Sequence, residues 1–333
     1  MPEQPTDGIL EEFRVEFLKC WERLPNKGFF FVLLAAWLAL FQFLGNSTFG
    51  YLRTSSLLKW MWVVCRPAQD TAASDDAHVL IIPFLVLALF WWKRKELMAQ
   101  PIRVWPLGLG IVVLGLFLHI VGYAAQQPKI SIVALFTGLY GLMGLAWGPA
   151  FLRASVFPFF LFIFAVPLGS QADAITFRLR LLVCQLVEFI CHYILAIEVV
   201  RSGTTLLDQA GQYRYEVEAA CSGLRSVISI LLLGTTYGFI VYRSNWKRLL
   251  LIASAVPLAV LGNLVRMLLI IVAAEVGSAL HKYFPGCDGQ AWGSWVHENA
   301  LMSLIPYVPA MLGLFALGWL LEDRKRTAAP AKI

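Results

Sequence analysis

Three side chains in the last third of the chain have the residue types of an acyl-transfer site. Cys221 precedes an apolar stretch, Arg266 lies within the next one, and His297 opens the last one. A cysteine thiolate can attack a carbonyl, a histidine can carry a proton, and an arginine can stabilise the oxyanion that forms. These residues are therefore the candidate nucleophile, cation and base.

The surroundings of Cys221 favour the thiolate. Residues 217–226 read VEAACSGLRS and the sequence then turns apolar, which predicts Cys221 at the start of a membrane helix. Free N–H groups at a helix N-terminus carry partial positive charge, and Arg225, four residues later, shares the same helix face. Both effects stabilise a thiolate. Ser222 and Gly223 leave room for a substrate backbone. The alternative is a small cysteine that only packs.

Placing the charged side chain of Arg266 inside the membrane costs free energy. It lies about 26 Å along an apolar helix that begins near Leu249, in the outer third of the membrane. A charged residue at that depth is a candidate functional residue, with snorkelling to the headgroups as the alternative. Asn263 precedes it by three residues on the same face. For His297 the alternative is an interfacial histidine without a function.

The composition excludes several classes of protein. Hydrophobic residues make up 59% of the 333 residues and charged residues 14%, against about a quarter in soluble domains. This balance excludes a soluble domain, a disordered chain and a nucleic-acid-binding protein, and it favours a membrane protein surrounded by lipid. The six cysteines contain no CxxC pair and fit no zinc site, so neither a metal nor a cofactor is predicted.

Stretches without charged residues predict an all-α polytopic membrane protein with about eight transmembrane helices. Five of these helices fall within residues 28–172 and three within 221–321, where the active site is expected. An amphipathic N-terminal segment, 1–27, precedes them, and a basic tail, 322–333, follows. The eight stretches are 28–52, 77–92, 104–128, 130–152, 154–172, 226–242, 249–274 and 299–321.

The distribution of Lys and Arg predicts the orientation. Sixteen of the 27 basic residues fall on the side that holds the N-terminus, and cytoplasmic loops carry such an excess. An even number of spans then leaves both termini in the cytoplasm and the candidate site on the extracytoplasmic face. The apolar stretch Ser55–Val64 is too short to span a membrane and predicts an interfacial or re-entrant segment.

The segment 173–220 is then extracytoplasmic, and two patterns predict its structure. Residues 175–199 have helical periodicity, with one polar stripe made of Arg178, Gln185, Glu188 and His192. This stripe either is a solvated face or covers the site and recognises substrate. Residues 199–207 are rich in β-branched side chains and 212–218 alternate, which predicts a β-hairpin before the catalytic helix.

The motifs around the candidate residues resemble those of the exosortase/archaeosortase family of polytopic membrane cysteine transpeptidases. The resemblance lies in EAACSGLR at 218–225, NLVR at 263–266 and a late histidine. It implies that Cys221 is the nucleophile, Arg266 the transition-state cation and His297 the third catalytic residue. It also implies supporting or substrate-binding roles for Glu218, Ser222, Gly223, Arg225 and Asn263. Residues 297–300 read HENA and depart from the family's Tyr-Gly-type turn, so His281 is the alternative third residue.

The resemblance also implies a function. An exosortase-like protease of the bacterial inner membrane would cleave exported proteins at a C-terminal sorting signal, which consists of a short motif, a membrane helix and a basic tail. The reaction would pass through a thioester on Cys221. Two other functions stay open: a polytopic transporter, and a non-enzymatic membrane component of envelope or exopolysaccharide assembly. The oligomeric state is not predicted.

Overall fold

The chain divides into two compact units, Met1–Pro167 and Leu168–Ile333. Both are mainly helical, and the second also contains a small β-sheet. The computed structural model describes residues 6–45, 54–66, 76–167, 173–209, 211–216, 224–284, 286–299, 302, 304, 305 and 307–321.

The first unit begins with an amphipathic helix, α1 (Thr6–Arg23), and a 92° bend separates it from α2 (Lys27–Phe43). The short helix α3 (Leu57–Cys65) occupies the predicted interfacial or re-entrant segment. The remaining helices of this unit are α4 (Ile82–Trp92), α5 (Arg94–Met98), α6 (Gly108–Ala124), α7 (Pro128–Trp147) and α8 (Pro149–Phe160), which continues as a 3-10 helix over Leu161–Ala165.

Glycines bring α6 and α7 into close contact. Gly108, Gly115 and Gly122 recur every seven residues on α6, and each lies against the backbone of α7. A Cβ at Gly115 would lie only 2.8 Å from the backbone nitrogen of Gly138. Small residues let membrane helices approach this closely, so that dispersion contacts replace a hydrophobic driving force that lipid cannot supply.

Gly138 also makes room for α2. The indole of Trp37 packs directly on Gly138 and donates its Nε1–H to the carbonyl oxygen of Leu135 at 3.0 Å. That hydrogen bond fixes the ring, which is 7% exposed and belongs to the core of the unit. The three helices α2, α6 and α7 are therefore joined at one glycine.

The second unit begins with α9 (Asp173–Ile190), which ends in a π-helical turn over Cys191–Leu195. A three-stranded antiparallel sheet follows, formed by β1 (Val199–Ser202), β2 (Thr205–Asp208) and β3 (Arg214–Glu216). The helices that complete the unit are α10 (Leu224–Val241), α11 (Asn245–His281), α12 (Gly289–Glu298) and α13 (Tyr307–Leu321).

The predicted hairpin is one part of this sheet, and the prediction of a single strand over 199–207 was wrong. Ser202 pairs with Thr205, so Gly203 and Thr204 form a two-residue turn that divides the stretch into β1 and β2. Gly203 has φ +64°, which glycine adopts without steric cost and which is typical of a type II′ turn. The predicted helix over 175–199 also ends early, because Ala196 turns left-handed with φ +53°.

The polar stripe of α9 is a solvated face, and the opposite face packs. Arg178, Gln185 and His192 are exposed, and Glu188 forms a 2.9 Å ion pair with Arg201 on β1. Val183, Cys184, Val187 and Cys191 lie on the other side, buried against the sheet and α11. The stripe therefore faces away from the packed core of the second unit.

Each of the eight stretches predicted to cross the membrane contains an apolar helix. By length and composition, α7 and α11 can each cross a membrane, and the bent pair α1–α2 adds a third if it forms one span. The other five apolar helices have 10–17 residues within the described part of the chain. An apolar, helical membrane protein agrees with the predicted class, and the number of spans stays a prediction.

We expect Gly138→Ala to lower the free energy of unfolding of the first unit by about 1–3 kcal/mol, because the added methyl would overlap the fixed indole of Trp37. Thermal unfolding of the detergent-solubilised protein measures this loss. Gly110→Ala is the matched control on α6, because nothing lies within 4 Å of its Cβ position. Equal stability of the two variants would show that the close packing at Gly138 does not contribute to the free energy of unfolding.

Candidate functional site

The structure describes only part of the predicted site. Glu218, Cys221, Ser222 and Gly223 lie outside the described residues, and Arg225 is described by its backbone alone, in the first turn of α10. Helix α10 begins at Leu224, three residues after Cys221. The geometry of the site is therefore built from α11, α12 and the sheet.

Arg266 and His297 are in contact. The Nη2 atom of Arg266, on α11, lies 3.4 Å from Nδ1 of His297 and also 3.4 Å from the carbonyl oxygen of His297. His297 lies in the last turn of α12, rather than at the start of the final membrane helix as the sequence predicted. A guanidinium group only donates hydrogen bonds, so both atoms of His297 act as acceptors in this arrangement.

The carbonyl contact pairs Nη2 of Arg266 with the C-terminal end of α12. Carbonyl groups in the last turn of a helix have no partner within the helix, and that end carries partial negative charge. The guanidinium group of Arg266 supplies the missing donor and a compensating charge. A buried or partly buried arginine in apolar surroundings needs such acceptors, so the end of α12 stabilises Arg266 where it lies.

The register between α11 and α12 produces this contact. Gly289, Gly293 and His297 are spaced by four residues on one face of α12, and they lie opposite Ala274, Ile270 and Arg266 of α11. A Cβ at Gly289 would lie 2.6 Å from the carbonyl oxygen of Ala274, and a Cβ at Gly293 would lie 3.1 Å from that of Ile270. The two glycines thus let the antiparallel helices pack closely. One turn further along the same face of α12, His297 lies beside Arg266.

Tyr215 attaches the sheet to α12. Its hydroxyl donates toward the carbonyl oxygens of Gly289 at 3.1 Å and Gln290 at 2.8 Å, and its ring lies against Gly293. Burial raises the pKa of Tyr215 to about 12, so the phenol keeps its proton and remains a donor at neutral pH. The backbone N–H of Arg214 also donates to the Gln290 side chain at 2.8 Å. Strand β3 is therefore held against the helix that carries His297.

Asn263 and the rest of the guanidinium group complete the described part of the site. Asn263 lies three residues before Arg266 on α11 and is buried, 6% exposed. The Nε atom of Arg266 is also buried and has no hydrogen-bond partner among the described residues. An unpaired buried N–H costs about 1–3 kcal/mol, so this donor is suited to an acceptor that lies outside the described part.

His281, the alternative third residue, lies elsewhere. It is at the C-terminal end of α11, 15 residues after Arg266, which places it about 22 Å further along the helix. Its Nδ1 contacts the carbonyl oxygen of Cys287. The structure therefore brings His297 to Arg266 and does not bring His281 there.

Two described cysteines belong to the same core cluster as Met267, the residue after Arg266, but are unsuited to nucleophilic chemistry. Cys184 and Cys191 on the packed face of α9 are both 0% exposed. Burial raises the pKa of each thiol to about 11, and Glu275 adds to the effect at Cys191. Both thiols stay neutral at physiological pH and serve as small core residues.

Sequence reasoning missed the residues that position the pair. Tyr215 was interpreted only as part of a strand, and the glycines of α12 were not singled out. The spacing GxxxGxxxH over 289–297 is the signal that could have identified them, because it is a helix-packing motif that ends on a titratable side chain.

Comparison with known proteins gives one match. The family model described as transmembrane exosortase matches residues 70–296, which is more than half of the chain and includes Cys221 and Arg266. His297 lies one residue beyond the matched range. Neither a curated protein nor a solved structure shows significant similarity to the chain.

We expect iodoacetamide at pH 8 to leave Cys184 and Cys191 unmodified in the folded protein, because both thiols are inaccessible and their pKa values lie near 11. Peptide mass spectrometry of the alkylated protein measures this. The same protein alkylated in denaturant provides the control, in which both cysteines are modified. Modification of either residue under native conditions would contradict the packing of α9 described above.

Proposed function

The chain belongs to the transmembrane exosortase family, and on that premise we propose that it is a cysteine transpeptidase that cleaves the C-terminal sorting signal of exported proteins. The observation that supports this function most directly is the contact of Arg266 with His297. It supplies a cation and a proton carrier together, which is what acyl transfer by a cysteine needs.

Cys221 is the proposed nucleophile, and the chain restricts how far it can lie from this pair. It comes five positions after Glu216, at the end of β3, and three positions before Leu224, at the start of α10. Five extended residues span at most about 17 Å. Because Tyr215 holds β3 against Gly293, one turn from His297, this length of chain allows Cys221 to meet the pair, as the proposal requires.

The proposed acylation step moves one proton and exchanges one bond. The Cys221 thiol gives its proton to His297, and the thiolate attacks the carbonyl carbon of the scissile peptide bond. Arg266 and the N–H groups near Ser222 and Gly223 stabilise the negative oxygen. The carbon–nitrogen bond then breaks, and the leaving amine takes the proton from His297. A thioester remains on Cys221, and an amine or water resolves it.

The double contact of Arg266 fits this proton movement. When Nδ1 of His297 accepts from Arg266, the neutral imidazole carries its proton on Nε2, so the proton from Cys221 goes to Nδ1 and replaces the hydrogen bond from Arg266 there. An imidazolium would place two positive charges side by side and remove the Nδ1 acceptor. The carbonyl oxygen of His297 remains within 3.4 Å of the same Nη2 atom, so the guanidinium can stay in place while the imidazole is charged.

The proposed substrate is a membrane-anchored tail with a short motif, an apolar helix and basic residues at its end. The predicted orientation places its basic end in the cytoplasm and its motif at the extracytoplasmic face, beside the proposed site. Glu218, Arg225 and the buried Asn263 are proposed to bind or orient the motif. We place the enzyme in the bacterial inner membrane with about eight spans and with both termini in the cytoplasm.

We expect Cys221→Ala to abolish removal of the C-terminal tail from a co-expressed reporter that ends in a sorting signal, because no other group forms the thioester. Immunoblotting follows the tail, and the amount of membrane-inserted enzyme is measured alongside it. Cys191→Ala is the matched control and should retain cleavage. Continued cleavage by a well-expressed Cys221→Ala variant would refute the cysteine mechanism and favour a transporter or scaffold.

We expect Arg266→Lys to lower the cleavage rate on the order of 100-fold or more, the usual cost of removing one oxyanion donor. Nη2 alone makes both contacts with His297, which leaves the other guanidinium nitrogens to donate to the oxyanion, and the single nitrogen of a lysine ammonium cannot serve both places. Single-turnover cleavage of a purified signal peptide measures the rate. Arg243→Lys, at an exposed position after α10, is the control and should leave the rate unchanged. An equal rate for both variants would remove Arg266 from the chemistry.

A further inference from the structure

A basic cavity lies in the first unit, apart from the residues of the proposed chemistry. It has a volume of about 300 Å³ and is formed where the second half of α1 meets α5. Its lining residues are Glu16, Lys19, Cys20, Arg23, Arg94, Lys95, Met98 and Ala99. Four cations and one carboxylate give the cavity a net positive charge.

Three of the four cations are available to a ligand. Arg94 donates to the Glu16 carboxylate at 2.7 Å through Nε, so the one acid in the cavity is already paired. Lys19, Arg23 and Lys95 are exposed and form no ion pair with any described residue. All three line the same opening, so an anion that enters it meets three positive charges that no described carboxylate neutralises.

The aromatic residues beside the cavity place it at the depth of lipid headgroups. Phe13 and Phe17 of α1 pack on Trp91 of α4, with ring centroids 4.6 and 6.3 Å apart, and Trp21 packs on Phe31 of α2 at 5.6 Å. These aromatic side chains of α1 are between 38% and 50% exposed. Aromatic rings concentrate at the membrane–water interface, where their apolar bodies face acyl chains.

The geometry points to a binding site for the phosphate headgroup of an anionic phospholipid, with Lys19, Arg23 and Lys95 as its ligands. The guanidinium of Arg23 can donate two parallel hydrogen bonds to phosphate oxygens, and the two ammonium groups add point charges. The exposed rings of α1 would contact the acyl chains of the same lipid. The site lies on the cytoplasmic side in the proposed orientation, and it is independent of the proposed chemistry.

Lipid is favoured over free phosphate because the cavity and the aromatic row adjoin each other. A free phosphate ion would use only the three cations. A phospholipid uses the cations and the exposed rings together, and it is present at the interface at high local concentration. The sharp bend between α1 and α2 fits this role, because it allows α1 to lie along the membrane surface while α2 enters the apolar layer.

Native mass spectrometry of the full-length protein in neutral detergent tests the site, with dioleoylphosphatidylglycerol as the probe and dioleoylphosphatidylcholine as the neutral comparison. The triple variant Lys19→Ala/Arg23→Ala/Lys95→Ala should bind phosphatidylglycerol about 100-fold more weakly, because each cation near an anionic lipid contributes about a factor of five. Binding of phosphatidylcholine should not change. The matched control Lys59→Ala/Arg66→Ala/Lys282→Ala removes three exposed cations predicted on the opposite side, and it should keep the affinity.

Two further measurements keep the outcome decisive. The double variant Lys19→Arg/Lys95→Arg preserves the charges and should retain binding of phosphatidylglycerol. If the triple variant lost binding only because its fold was disturbed, changing these side chains to arginine would also weaken binding. An excess of inorganic phosphate should leave the lipid bound. The proposal is overturned if the wild-type protein binds both lipids equally, if the triple variant and its control bind alike, or if inorganic phosphate displaces phosphatidylglycerol. None of these results depends on cleavage of a sorting signal.

Discussion

The register between α11 and α12 is the constraint on which the candidate site depends. A Cβ at Gly289 would overlap the carbonyl oxygen of Ala274 on α11, and a Cβ at Gly293 would overlap the hydroxyl of Tyr215, so neither position accepts a side chain and α12 packs closely on α11. One turn further along the same face of α12, His297 then lies opposite Arg266. A shift of α12 by one residue would turn the imidazole by about 100° away from the guanidinium. The absence of side chains at Gly289 and Gly293 therefore allows the packing that brings Arg266 and His297 into contact.

The rest of the second unit maintains that register. The sheet is attached to α12 through Tyr215, and the apolar face of α9 covers the sheet and α11. This layer is well packed, and the burial that it provides keeps Cys184 and Cys191 neutral. The second unit thus buries two thiols where they are inert, and the proposed chemistry falls to Cys221.

The positively charged side chains of the two units differ in their partners. Arg266 lies among apolar residues and is stabilised by the unpaired carbonyl end of a helix. Three of the four cations between α1 and α5 are exposed, and only Arg94 has a carboxylate partner within the cavity. The first unit otherwise follows the packing rules of membrane helices, with glycine contacts and an indole fixed by a single hydrogen bond.

The sequence by itself determined the class of protein and the residue types of the chemistry, because both depend on local properties. Long apolar stretches require helices in a membrane, and a charge inside them is costly wherever the chain goes. Two predictions from the sequence were wrong. The sequence predicted one strand where Gly203 makes a turn, and it predicted His297 at the start of the final helix, whereas His297 lies on α12. Only the tertiary structure decided that Arg266 meets His297 and not His281. That choice rests on the close approach of two helices, which is set by side-chain volumes on both partners and cannot be read from either one alone.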